Sequence, residues 1–305
     1  MAERASEASY WLGPLLNNLG WIDTPLTRQA RVDVPGLYER VEARTPPLSS
    51  WTASLAWFEQ ERANLLAAAH QAVHGPVPMP RFAVRLAEVM YWFLLIRTNW
   101  PEMESINQLA LCAARRDGDR RGEAVALNDI GQAHLGAGRL DHAIACLERS
   151  RALFAELGDR HWESITIVHQ AVVYREQGEL ERTVDCLRRS LPCLHEAGDL
   201  VTVGGALGVL GLAYGDQGRF DEAIDCLEQS LRIRDGIQNP LSEAMTLTNL
   251  GEVHHRAGHR RTAVDLEPDR PSARIDQPTQ ALDLLHRLEL VRLHRARHKL
   301  RDQVF

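Results

Sequence analysis

The same forty-residue phrase is written three times along this chain. It reads GDRRGEAVALNDIGQAHLGAGRLDHAIACLERSRALFAEL from Gly118, GDRHWESITIVHQAVVYREQGELERTVDCLRRSLPCLHEA from Gly158 and GDLVTVGGALGVLGLAYGDQGRFDEAIDCLEQSLRIRDGI from Gly198. A fourth copy begins at Gln238 and keeps register through NLGEVHHRAGHRRTAVD. Gly138, Gly178, Gly218 and Gly258 share the spacing, as do Cys146, Cys186 and Cys226. A period of this length restricts the fold sharply. One unit is too short to bury its own apolar face, so units must stack on one another and share a core.

Each unit reads as two helices. In the first, roughly Arg121 to Gly136, Leu127, Ile130, Ala133 and His134 recur at three- and four-residue spacing and form one face. Gly138 supplies a left-handed residue just past the helix end. Leu140, Ala143, Ile144, Leu147 and Leu153 form the stripe of the second helix, Gly158 ends it, and Asp159 stands as N-cap of the next unit. The pattern predicts an all-α, right-handed solenoid of helix hairpins. Its array covers residues 118–265, as units 118–157, 158–197, 198–237 and a partial 238–265.

One stretch, DLVTVGGALGVLGLAY from Asp199, imitates a strand entering a phosphate-binding loop. Its glycines are not in G-x-G-x-x-G order, and Phe220 to Leu231, where a second strand should follow, reads as helix. It is the first helix of the third unit, and Gly204, Gly205 and Gly208 are expected to weaken it by roughly 1 kcal/mol each relative to alanine. That makes this unit the expected soft point of the array.

The units resemble tetratricopeptide repeats of the forty-residue kind. Leu210, Gly211, Tyr214, Gly218, Ala223, Leu227 and Ser230 carry the family pattern in the third unit. The second departs from it at Gln170 and Thr183, and Glu267 and Pro268 cut the fourth short. Upstream, FAVRLAEVMYWFLLIRTNWPEMESINQLALCAARRDGD fits the same frame as a degenerate pair, with Trp100 at the turn and Pro101 in the first turn of its second helix. SLAWFEQERANLLAAAHQAVHG precedes it as an amphipathic helix, so residues 48–117 read as a helical adaptor plus this pair, after a linker segment over 1–47. The text from Leu15 to Asp265 is similar to the sensor region of bacterial regulators of the SARP and STAND classes. No G-x-x-x-x-G-K-[ST] is present, and Lys299 is the sole lysine. The resemblance therefore implies a protein- or peptide-binding module acting on a separately encoded ATPase or DNA-binding effector. The alternative is a free-standing adaptor or assembly factor with no role in transcription.

Other classes of function find little support. No run of about 18 uncharged apolar residues is present, and the N-terminus does not read as a secretory signal. Five cysteines without a C-x-x-C pair point to a reducing cytoplasm. Equivalent helices of stacked units lie about 10 Å apart, too far for cysteines spaced by forty to share a metal, so Cys146, Cys186 and Cys226 read as small buried residues. The net charge of −6 gives no general attraction to nucleic acid. A linker, Glu267 to Pro278, leads to a basic tail at 279–305, where His294 and His298 share a face but lack a carboxylate or cysteine to complete a site. No catalytic residues, cofactor or metal site are expected.

The resemblance also places a groove on the concave surface lined by first helices. Its positions carry over as Asn128, Asp129 and Gln132 in the first repeat, His169 and Arg175 in the second, Asp216 in the third, and Asn249, Glu252, His255 and Arg256 in the fourth. Side-chain amides there would bond a peptide's main chain. Val172, Val209 and Leu212 between them would form an apolar patch for a bulky anchor. An uncapped array end is expected to favour self-association.

Overall fold

A computed structural model describes residues 51–76, 78–237 and 240–258 of the chain. The expected N-terminal linker segment, the completion of the fourth repeat, the Glu267–Pro278 linker and the basic tail lie outside the described residues. Among the described residues there are ten helices in sequence: α1 Trp51–His74, α2 Pro80–Ile96, α3 Trp100–Asp117, α4 Arg120–Gly136, α5 Leu140–Glu156, α6 Arg160–Glu176, α7 Leu180–Glu196, α8 Leu200–Asp216, α9 Phe220–Ile237 and α10 Pro240–Arg256. The stretch from Asp199 is thus continuous helix, with Val201 to Val203 in its first turn and no strand.

Local chemistry sets the boundaries. Asp119, Asp159 and Asp199 each accept a hydrogen bond from the backbone N–H three residues on, at 2.8, 3.1 and 3.1 Å. These satisfy donors that the first turn leaves open. At the other end of α4, Gly138 takes φ +75°, which lets Arg139 N–H reach back to the His134 carbonyl at 2.8 Å. The same turn recurs at Gly178 and Gly218, so the reversal has one geometry in successive units.

Each helix packs on its neighbours in the chain, and the first helices of successive units (α2, α4, α6, α8, α10) also touch one another. They form the inner wall. Between first and second helices, one contact is copied. A Cβ added to Gly131 would lie 2.7 Å from Leu147 Cγ, and one added to Gly211 would lie 2.7 Å from Leu227 Cγ. Both leucines are fully buried. Ser150 Oγ donates to the Ala124 carbonyl at 2.8 Å, and Ser230 Oγ to that of Gly204 at 2.7 Å. In the second repeat Ala171 replaces the glycine, and Thr183 is buried with its hydroxyl donating to the carbonyls of Ala171 and Glu179.

α2 and α3, the stretch read as a degenerate pair, precede α4 as two further helices that pack on each other and on the array. α3 starts at Trp100 with Pro101 in its first turn, and the Trp100 ring lies flat against the backbone at Gly136, where a Cβ would sit 2.4 Å away. The α1 helix buries Phe58, Leu65, Ala69 and Ala72, stacks Phe58 on Phe93 at 5.0 Å, and closes this end of the core. An apolar cluster continues from Leu55 on α1 to Val253 on α10.

Candidate functional site

The inner wall is held by pairs separated by about one repeat plus one residue. His169 Nδ1 on α6 donates to Asn128 Oδ1 on α4 at 2.9 Å. Tyr91 O–H on α2 donates to Gln132 Oε1 on α4 at 2.8 Å. Arg175 on α6 bonds Asp216 on α8 through Nε and Nη2, at 3.0 and 2.9 Å. Arg256 on α10 reaches the other oxygen of Asp216 at 3.1 Å and the Gly215 carbonyl at 2.7 Å. Parallel helices one repeat apart bring equivalent positions side by side, so this offset picks out the rungs of the wall.

These rungs fall into two groups. The first joins Tyr91, Asn128, Asp129, Gln132 and His169. Asn128 is fully buried and Asp129 is 5% exposed. Asn128 Nδ2 donates to Asp129 Oδ1 at 3.0 Å. Among the described residues, Gln132 Nε2 is buried without a hydrogen-bond partner. Burial raises the Asp129 carboxyl to about 8, helped by the nearby charge of Glu88 and opposed by the Asn128 bond. Enclosure lowers His169 to about 4. Near neutral pH both groups are therefore uncharged. Glu88 itself is paired to Arg85 at 2.8 Å. This part of the wall is polar and carries hydrogen-bonding capacity without net charge.

The second group is a charged clasp: one carboxylate, Asp216, between two guanidiniums from the helices on either side. It ties α6, α8 and α10 together along the C-terminal edge of the wall. Earlier along α10, Asn249 and Glu252 are half-buried, and His255, next to Arg256, is exposed.

The sequence reading placed these side chains as open groove residues. The structure brings Asn128, Asp129, Gln132 and His169 into one bonded wall, and Arg175, Asp216 and Arg256 into the clasp. It adds Tyr91 and Glu88 from the degenerate pair, which the reading passed over; both stand 41 residues before their partners Gln132 and Asp129. Val172, Val209 and Leu212 lie half-buried between the two groups. Cys226 is buried and its thiol is pushed up to about 11 by that burial; Cys146 and Cys186 are half-buried against the core. Among the described residues, no three His, Cys, Asp or Glu side chains come together as metal ligands, and no helix is long and apolar enough to cross a membrane.

Known proteins resemble the chain in the same terms. The family profile described as tetratricopeptide repeat matches residues 122–196 and 202–267. No curated protein matches the full sequence significantly. Among solved structures, BtubC (BKLC) from P. vanneervenii superposes with a TM-score of 0.56 at 20% identity, covering 77% of this chain and 92% of its own. The apo form of the quorum sensor NprR from B. thuringiensis gives 0.57 at 15% identity, covering 85% and 73%. NprR in complex with its cognate peptide NprX gives 0.55 at 15%, covering 95% and 84%. At such identities the likeness establishes the fold. The protein carries tetratricopeptide repeats, stacked into a single α-solenoid.

Proposed function

We propose that the inner wall binds an extended peptide or protein segment, and that the array is the sensing part of a regulatory system. One observation carries this reading. Gln132 Nε2 is buried without a hydrogen-bond partner, and the buried Asp129 carboxyl lies three residues before it on the same side of α4. Natural interiors rarely leave such groups unpaired. At neutral pH the protonated Asp129 carboxyl and the Gln132 amide both act as donors. Uncharged donors of this kind suit main-chain carbonyls better than a charged ligand. NprR, with which this chain shares its fold, has been crystallised with a peptide.

The finer reading, a sensor for a SARP-type or STAND-type effector encoded separately, rests on the resemblance between Leu15 and Asp265. An adjacent gene for a P-loop ATPase or a DNA-binding protein would support it.

First helices about 10 Å apart give a wall of about 30 Å from α2 to α8, the span of roughly nine extended residues. Affinity selection from a random nonapeptide library is therefore the test. Wild type should retain a distinct subset of peptides. Asp129→Ala combined with Gln132→Ala, confirmed folded by circular dichroism, should bind that subset at least about tenfold more weakly. Retention of no peptide, or equal binding by the double variant, would overturn the reading.

A further inference from the structure

Val125, Ile165, Gly205 and Met245 are spaced by forty and occupy the same place on α4, α6, α8 and α10. In the first two repeats the position is filled: Val125 is 7% exposed and Ile165 is 2% exposed. In the third the side chain is missing. A Cβ built on Gly205 would meet no atom within 4 Å, so no neighbouring group has moved in to replace it. Met245, one helix farther on, is 44% exposed.

Two further features mark the place as unfinished packing. Gly208, one turn along α8, removes a second side chain from the same face, and Val209 and Leu212 continue that face half-buried. One turn in the other direction, Thr202 is 5% exposed and its hydroxyl is buried without a partner. Glycine inside a helix costs stability, and this repeat bears that cost where its siblings carry buried aliphatics. The result is a notch of bare helix backbone at Gly205, with Val209 and Leu212 one and two turns along the same face of α8 and Met245 at the equivalent place on α10.

The notch lies on the same first-helix wall as Asp129 and Gln132, two helices away, at roughly 20 Å. Resting on the peptide-binding reading above, we propose that the Gly205 notch seats one bulky apolar side chain of the bound peptide, so that this repeat sets specificity while α4 holds the main chain. The occupant is an aliphatic or aromatic residue. The described side chains along this face, Val209, Leu212 and Met245, are apolar, and the clasp at Asp216 lies eleven residues along α8, about 16 Å away.

An oriented nonapeptide library, with one position fixed in turn as Leu, Phe or Ser and the rest random, tests this directly. Wild type should prefer the Leu or Phe pools over the Ser pool by roughly tenfold or more at one position, the gain expected for burying such a side chain. Gly205→Ile, which installs the residue that the second repeat carries at 165, should melt at or above the wild-type temperature and lose the preference while still binding the Ser pool. Met245→Ser, an exposed position, should reduce the preference and serves as the second variant if Gly205→Ile folds poorly. Equal binding of all pools by wild type, or a preference unchanged in these variants, would overturn the notch while leaving the peptide-binding reading intact. If no pool binds, that reading fails and the notch assignment falls with it.

Discussion

The face between first and second helices and the inner wall of the first helices obey different rules. On the packing face, Gly131 against Leu147 reappears as Gly211 against Leu227, with the same 2.7 Å approach. Ser150 and Ser230 repeat the same hydrogen bond across 26 residues. Along the wall the polar rungs are not copied. Successive rungs are Asn128 with His169 and Arg175 with Asp216, and position 165, an isoleucine, becomes glycine at 205. Periodic chemistry builds the scaffold because each interface must close on an identical neighbour. A wall that faces a ligand, as we propose, has no reason to be periodic, and its departures from the repeat are then where specificity would be stored.

The sharpest way to break this comparison is to cut the copied contact. Leu147→Ala and Leu227→Ala each leave a cavity at a fully buried site and should cost about 2–5 kcal/mol in denaturant unfolding. The two values should agree more closely with each other than with any substitution on the wall. A large disparity would show that the interfaces are not equivalent.

A smaller effect belongs to the wall alone. Asp129 titrates near 8 in the folded protein and near 4 when unfolded, so between those values the folded state holds the extra proton and stability falls as pH rises. His169, lowered to about 4, acts oppositely below about 6.5, where the unfolded state binds the extra proton. From pH 7 to 8, where the lowered histidines His134 and His169 are largely neutral in both states, Asp129 dominates with a loss of roughly 1 kcal/mol. Asp129→Asn should flatten that slope in urea titrations at each pH. An unchanged slope would show that this carboxyl is ionised in the native wall.

The smallest test compares two glycines of one helix. Gly205→Ala places a methyl group in open space and should stabilise by roughly 0.5–1 kcal/mol. Gly211→Ala pushes on Leu227 Cγ and the Ala223 carbonyl, and should lose a similar amount. If both gain, the close approach at 211 is not a constraint.

The contrast also explains how much of the molecule the sequence made legible. The helix pairs, the glycine turns at 138, 178 and 218 and the aspartate caps could be read because each is required in every unit and recurs at forty. The degenerate pair was legible through Trp100 and Pro101, which keep that frame. Individual groove residues could be named, yet their state could not. Asn128 and Asp129 looked like solvated ligands' partners and are instead buried and bonded, because burial depends on Tyr91 and His169 from the neighbouring repeats. A separation of 41 was the available signal: Tyr91 to Gln132, Asn128 to His169, Arg175 to Asp216. The glycines of α8 were read as a loss of helix stability. The empty space beside Gly205, set against a filled Ile165, is the observation on which the proposed notch rests.

Deuterium exchange of the full chain, with and without a peptide recovered from the library selection, tests the division between scaffold and wall most directly. Binding should slow exchange in the first helices α4, α6 and α8 and leave the second helices α5, α7 and α9 close to their free rates. Protection confined to the second helices, or spread equally over both sets, would contradict it.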